Sequence, residues 1–203
     1  MNTHYDVALI TVRAGRHGDA LAVLRERLAG AADLRACWYS DIGALNRILI
    51  IRAQADPAAA IAARLAELED ESPFGLGDLI TAMSLDTYVS FDFIAPLAAG
   101  DFGPFYEVRT YELNPDGLPP TMALWRKYVP DRAKVSPLIA AMVSVTGTVT
   151  RFLHIWPYRS LDERGRLRAK AIADGVWPPP GGPGHLATQQ SDIYLPAPFS
   201  PMR

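Results

Sequence analysis

The chain has a single cysteine, Cys37, in 203 residues, which rules out a disulfide framework and a thiolate metal cluster. Neither sign of charge is in surplus. Twenty Lys plus Arg stand against 22 Asp plus Glu, for a net charge of −2, so the basic surface that nucleic acid demands is missing. No apolar run approaches the roughly 20 residues of a membrane span. The opening Met1-Asn2-Thr3-His4-Tyr5-Asp6 lacks the charged-then-apolar pattern of a secretory signal. These absences lead us to expect a soluble, cytoplasmic protein with no membrane or nucleic-acid partner. His4, His17, His154 and His185 show no metal-ligand spacing. Gly75-Leu76-Gly77 lacks the third glycine and the preceding strand of a dinucleotide fingerprint, and no Gly-x-Ser-x-Gly elbow occurs. The residues therefore call for neither a metal nor a nucleotide cofactor.

What is present is a good core-forming composition, 49% hydrophobic, and an internal repeat. Tyr5–Ile10 lies against Tyr106–Tyr111, Gly43–Ile51 against Gly147–Ile155, and Asp86–Val89 against Asp192–Leu195. The offset drifts from 101 through 104 to 106 residues, as small loop insertions would make it. Each copy reads as strand, helix, strand, strand, helix, strand. In the first, Leu21, Leu24 and Leu28 have helical spacing, and two β-rich runs flank a turn at Ile42-Gly43-Ala44. Asp56-Pro57 opens one second helix with an N-cap and a first-position proline; Ser160-Leu161-Asp162-Glu163 opens the other with a capping box. Residues 1–95 form a first ferredoxin-like repeat, 96–104 a linker bracketed by Pro96 and Pro104, and 105–203 a second repeat. The predicted fold is α+β: two tandem βαββαβ repeats packed sheet to sheet as an intrachain pseudo-dimer, with a homodimer of whole chains left open.

Alternation along the strands sorts side chains into two sets. Glu107, Arg109 and Tyr111 fall together on one strand; Phe152, His154 and Trp156 fall together on another, with Leu153 and Ile155 assigned to the helix-covered face. The six are therefore expected on the inter-sheet side, opposite Asp6, Ala8, Ile10, Ile48, Ile50 and Arg52 of the first copy. One wall is mainly apolar and the other carries a carboxylate, a guanidinium, a phenol and an imidazole, which is the make-up of a small-molecule site. The plainer alternatives stand beside this. Glu107 and Arg109 suit a structural ion pair, His154 a hydrogen-bonded core, and Trp156 and Tyr158 packing. The basic run Arg159, Arg164, Arg166, Arg168 and Lys170 suits a solvated helix face with Asp162 pairing to Arg166, or a grip on an anion. Pro178-Pro179-Pro180-Gly181-Gly182-Pro183-Gly184-His185 suits a rigid connector, or a loop carrying His185 to a cavity mouth.

The second copy resembles the NIPSNAP domain. The likeness lies in Tyr106-Glu107-Val108-Arg109-Thr110-Tyr111-Glu112-Leu113, in Gly147, in Phe152-Leu153-His154-Ile155-Trp156-Pro157-Tyr158-Arg159-Ser160-Leu161-Asp162-Glu163-Arg164, and in Arg168, Trp177 and Ser191-Asp192-Ile193-Tyr194-Leu195. The resemblance implies a dimeric α+β barrel of the ferredoxin-like superfamily, which includes small cofactor-free monooxygenases. It implies no particular reaction. Related barrels hold haem, which leaves His154 or His185 as candidate ligands to it. The expected function is binding of a small, mostly apolar organic molecule, with oxygenation, cyclisation, decarboxylation or dehydration and no cofactor. In that scheme Arg109 anchors an oxyanion, His154 moves the proton, and Glu107 orients or charges it. Tyr111, Phe152, Trp156 and Tyr158 shape the pocket. The alternative is a non-catalytic sensor or protein-interaction module.

Overall fold

The computed structural model describes residues 3–203; Met1 and Asn2, part of the start read above for a signal, lie outside the described residues. The first half runs β1 (His4–Val12), α1 (His17–Leu28), β2 (Leu34–Ile42), β3 (Arg47–Gln54), α2 (Pro57–Glu69) and β4 (Ile80–Ser90). The second runs β5 (Phe105–Leu113), α3 (Leu118–Val135), β6 (Ala140–Ser144), β7 (Arg151–Tyr158), α4 (Leu161–Ala173) and β8 (Leu186–Pro196). Local chemistry starts the second helix of each half. Asp56 accepts from the Ala59 N–H at 2.9 Å, and Ser160 Oγ accepts from the Glu163 N–H at 3.0 Å. Glu163 reaches back to the N–H of Arg159, one residue earlier than a capping box expects.

All strand pairs are antiparallel, and the order is identical in the two halves: β4-β1-β3-β2 and β8-β5-β7-β6. The sheets join at both edges. Tyr39 of β2 pairs with Leu195 of β8, and Val89 of β4 with Val143 of β6, closing an eight-stranded barrel that leaves no sheet edge unpaired. No helix among the described residues is long and apolar enough to cross a membrane.

Both halves fill the barrel interior. Tyr5, Val7, Trp38, Leu49 and Ile51 meet Tyr106, Val108, Met142, Leu153 and Ile155 there, with the Trp38 and Tyr106 rings stacked at 4.0 Å. The connecting segment seals one end: Leu97 donates its N–H to Tyr5 Oη at 2.8 Å, and Gly100 bridges to Met202. The outer sheet faces carry the helices. Ala8, Ile10, Ile48 and Ile50 pack under the first pair; Tyr111, Phe152, Trp156 and Tyr158 pack with Trp125 and Val129 of α3 in the second half.

This corrects the assignment of strand faces. Leu153 and Ile155 point into the barrel, while Glu107, Arg109, Tyr111, Phe152, His154 and Trp156 belong to the helix-covered side. Phe152 through Tyr158 of β7 are buried on both faces, so polarity alternation could not say which face was which.

Gly103 fixes the entry into β5. Its φ is +133°, and a Cβ there would lie 2.4 Å from the Tyr158 carbonyl oxygen, so a side chain forces the backbone apart. Gly165 on α4 has no atom within 4 Å of the same position. Gly103→Ala is expected to cost about 2–3 kcal/mol of unfolding free energy, and Gly165→Ala to gain about 0.5–1 kcal/mol. Urea unfolding of both variants checks this; equal midpoints would contradict the close approach at Gly103.

Candidate functional site

Pairing of β5 with β7 sets Glu107 opposite Trp156, Arg109 opposite His154 and Tyr111 opposite Phe152. Over this patch α3 lays Thr121, Leu124, Trp125 and Arg132, and α4 lays Arg168, Ala171 and Ile172. The segment after α4 adds Trp177, Pro178, Pro179 and Pro183. Together they enclose a cavity of about 230 Å³. Pro119 and Pro120 start α3, where a missing N–H costs nothing, and the spacing Thr121, Trp125, Val129, Arg132 turns one stripe inward. The proline-rich segment is therefore a wall of the cavity. It is held by Asn114, whose N–H donates to the His185 carbonyl at 3.0 Å and whose side chain donates to that of Gly184 at 3.1 Å. His185 itself does not line the cavity.

Glu107 is fully buried behind the cavity. Its Oε1 accepts from Arg109 Nε at 2.8 Å, Arg164 Nη2 at 2.6 Å and Ser191 Oγ at 2.8 Å, and Arg168 lies 3.7 Å from Oε2. Burial pushes its pKa up, but the Arg164 hydrogen bond and the Arg109 and Arg164 charges outweigh that, and it falls to about 2. So Arg164 and Arg168, four apart on α4, grip an anion, and it is one of the chain's own. Arg109 spends its Nε on Glu107 and donates from Nη1 to Tyr111 Oη at 2.6 Å.

His154 is 1% exposed. Its Nδ1 accepts the Trp156 indole N–H at 2.7 Å, which places the imidazole proton on Nε2. That nitrogen has no partner and belongs to a residue lining the cavity. Burial, reinforced by the charges of Arg109 and Arg168, holds the His154 pKa well below the ordinary value, so the ring is neutral at pH 7. Aromatic rings crowd it, with Trp125 at 4.6 Å, Tyr111 at 4.9 Å and Phe152 at 5.0 Å. Arg132 is 2% exposed and lies 4.5 Å over the Trp156 ring; its Nε and Nη1, like Thr121 Oγ1, have no hydrogen-bond partner.

Of the residues singled out from sequence, Arg109, Tyr111, Phe152 and His154 line the cavity; Glu107, Trp156 and Tyr158 stand behind it. Glu107 does not orient His154: the arginines occupy its carboxylate, and Trp156 takes the orienting place. Thr121, Trp125 and Arg132 were missed because they come from α3, although their helical spacing was there to read. The Arg168 side chain and Trp177 were seen only as parts of a basic run and a motif. The first half has no counterpart, since Ala8, Ile50 and their neighbours leave a cavity of only about 10 Å³.

The open end of the barrel interior holds a larger cavity, about 370 Å³, whose charged lining residues are Arg47, Asp86, Glu112, Arg151 and Asp192. Arg151 pairs with Asp86 at 2.8 Å, and Asp192 accepts from the Ala44 N–H at 2.9 Å and from Gln190 at 2.8 Å. Burial pushes the Cys37 thiol up to about 12, away from thiolate chemistry. No group of three His, Cys, Asp or Glu among the described residues is placed to hold a metal. A cavity of about 150 Å³ takes one six-membered ring, so the 230 Å³ beside His154 suits one or two rings and is too small for a porphyrin.

Glu107→Gln keeps the shape but leaves Arg109, Arg164 and Arg168 without their anion, an expected loss of about 3–5 kcal/mol at neutral pH. Because the folded-state pKa is depressed, the carboxylate's contribution is complete above its ordinary value of 4.5 and vanishes as pH falls toward about 2. The gap between wild-type and variant urea midpoints should close across that window. A gap constant with pH would refute the ion-pair account.

Comparison with known proteins bears on family and fold. Residues 106–201 match the NIPSNAP family model. A NipSnap homologue from Dictyostelium discoideum is 31% identical over 72 residues, which is 36% of this chain and 32% of that protein, so the match spans about a third of the curated relative. An anthrone oxidase-like protein superposes with a TM-score of 0.66 at 14% identity, covering 96% of this chain and 91% of its own. A Lactobacillus acidophilus protein provisionally described as a monooxygenase gives 0.63 at 8% identity, covering 96% and 94%. The last two share the whole dimeric α+β barrel fold. The NIPSNAP match thus falls on the second half of this chain, from β5 through β8.

Proposed function

We propose that the second-half cavity binds a small, mostly apolar organic molecule. We further propose that the chain is a cofactor-independent enzyme of the oxygenation, cyclisation, decarboxylation or dehydration type. The observation that carries this reading is the unpartnered Nε2–H of a neutral, buried His154 in an aromatic pocket whose lining holds arginines and no carboxylate.

Such a lining stabilises negative charge that develops on the substrate. The His154 N–H is a fixed donor, because reversing its tautomer would set two protons against each other at Trp156. Arg109, tied to Glu107 and Tyr111, adds a preorganised positive charge that needs no reorganisation. A positive field lowers the pKa of a phenol or enol placed within it. The substrate's own acidic proton passes to solvent water, with no side-chain base beside it, and the electron-rich anion is the reactive species, dioxygen being the oxidant where the reaction is oxygenation. A neutral imidazole that acts as donor rather than base is a known solution for such charge. His154 therefore takes the role of electrophile, not the proton carrier that its ordinary pKa suggested.

Mass spectrometry of small molecules that co-purify with the chain, together with its absorbance spectrum, identifies the ligand. With that substrate, His154→Gln is expected to lower kcat by about 10²-fold and to change KM less. The wild-type kcat should stay flat between about pH 6 and 8, with no imidazole ionisation in that range. Full binding and turnover in both His154→Ala and Arg109→Ala would overturn the assignment. Binding without turnover would make the chain a sensor.

A further inference from the structure

Three guanidinium groups line this pocket, from Arg109, Arg132 and Arg168, a fourth, Arg164, lies behind it, and one carboxylate answers them. Glu107 takes Arg109 and Arg164 at 2.8 and 2.6 Å and holds Arg168 at 3.7 Å. Arg132 is left out. Among the described residues no carboxylate lies within 4.0 Å of it; the nearby Tyr158 hydroxyl is neutral, its pKa raised by burial, and Arg132 Nε and Nη1 have no hydrogen-bond partner although the residue is only 2% exposed. Buried charges are ordinarily paired, because desolvation of an unpaired ion is among the costliest features a fold can carry. Trp156 offsets part of that cost with its ring face at 4.5 Å.

The same Trp156 uses its edge to fix the His154 tautomer. One indole thus contacts two cavity-lining residues with unpartnered donors, the Arg132 guanidinium and the His154 Nε2–H, and Thr121, a third lining residue, has an unpartnered Oγ1. Apart from Arg109, Arg168 and Gln189, the rest of the wall is mainly aromatic and aliphatic, from Phe152, Trp125 and Trp177 to the prolines. From this we infer that the ligand is an aromatic acid of one or two rings bound as its anion, with Arg132 holding the acidic group. The inference rests on the reading that this cavity is the ligand site, and it moves the anchoring role from Arg109, whose charge is answered by Glu107 and whose Nε and Nη1 donate to Glu107 and Tyr111, to Arg132.

The test uses the purified full chain at pH 7.5 with 1-naphthoate, 2-naphthoate and 1-hydroxy-2-naphthoate, each beside its neutral carboxamide, by calorimetric titration. At least one carboxylate is expected to bind about tenfold or more tightly than its amide. Arg132→Met should abolish that preference and leave amide binding intact. Arg132→Met should also melt at a higher temperature than the ligand-free wild type, because it removes an unpaired buried charge. Equal affinity of acid and amide in the wild type would overturn the inference while leaving the pocket assignment standing. A lower melting temperature for Arg132→Met would show Arg132 to be structural and would overturn it as well. If neither acids nor amides bind, both the inference and the cavity reading fall. Should Arg132→Met not fold, the wild-type comparison and Thr121→Val, expected to weaken only the acids, decide the matter.

Discussion

The Glu107 carboxylate holds the second half together. It sits at zero exposure and joins β5 to β8 through Ser191 and to α4 through Arg164, with Arg168 close behind. Those contacts determine how far α4 stands from the sheet, and that spacing is the cavity. A buried carboxylate with fewer donors would be a liability; with three short hydrogen bonds on one oxygen it fixes geometry. The anion that looked catalytic in sequence thus serves as an anchor, and the arginines it gathers give the pocket its positive field.

The first half uses the same device on a smaller scale. Asp6, the counterpart of Glu107, accepts from Thr87 at 2.8 Å and Gln54 at 2.8 Å, with Arg64 of α2 at 3.8 Å. A carboxylate at the start of the first strand therefore faces an arginine of the second helix in both halves. What differs is the rest of the face. Ala8, Ile10, Ile48 and Ile50 stand where the second half has Arg109, Tyr111, Phe152 and His154, and these aliphatic groups leave almost no space. One half is packed for stability, and the other keeps its polar groups and an opening.

Much of this was legible in the residues, and the limits have physical causes. Helix starts at Asp56 and Ser160 are set by neighbouring atoms, and the element order follows from the repeat, so both survive intact in the structure. Strand faces are another matter. Along β7 the residues Phe152 to Tyr158 are all buried, so nothing in their polarity separates barrel interior from helix side, and the aromatic set went to the wrong one. Arg109, Tyr111, Phe152 and His154 do line one cavity, on the side of the sheet opposite to the one expected, while Glu107, Trp156 and Tyr158 stand behind it. Arg132 could not be recognised as exceptional from sequence, since its meaning lies in the missing partner, a property of tertiary structure. Trp156 reads as packing in sequence; only its two contacts, face to Arg132 and edge to His154, reveal a positioning residue.

Closure of the barrel requires both halves, because β2 needs β8 and β4 needs β6. The pocket requires one, because every residue lining it lies between Arg109 and Gln189. In a barrel assembled from two identical chains, any cost carried by a pocket, such as an unpaired guanidinium or an empty volume, is paid twice. Joining the halves in one chain lifts that constraint. The first half can fill its helix-covered face with aliphatic side chains and stabilise the barrel, while the second carries a cationic surplus that no fold would keep for stability alone. The asymmetry between the copies, one helix-covered face filled and the other left open, is thus an arrangement that a shared barrel permits.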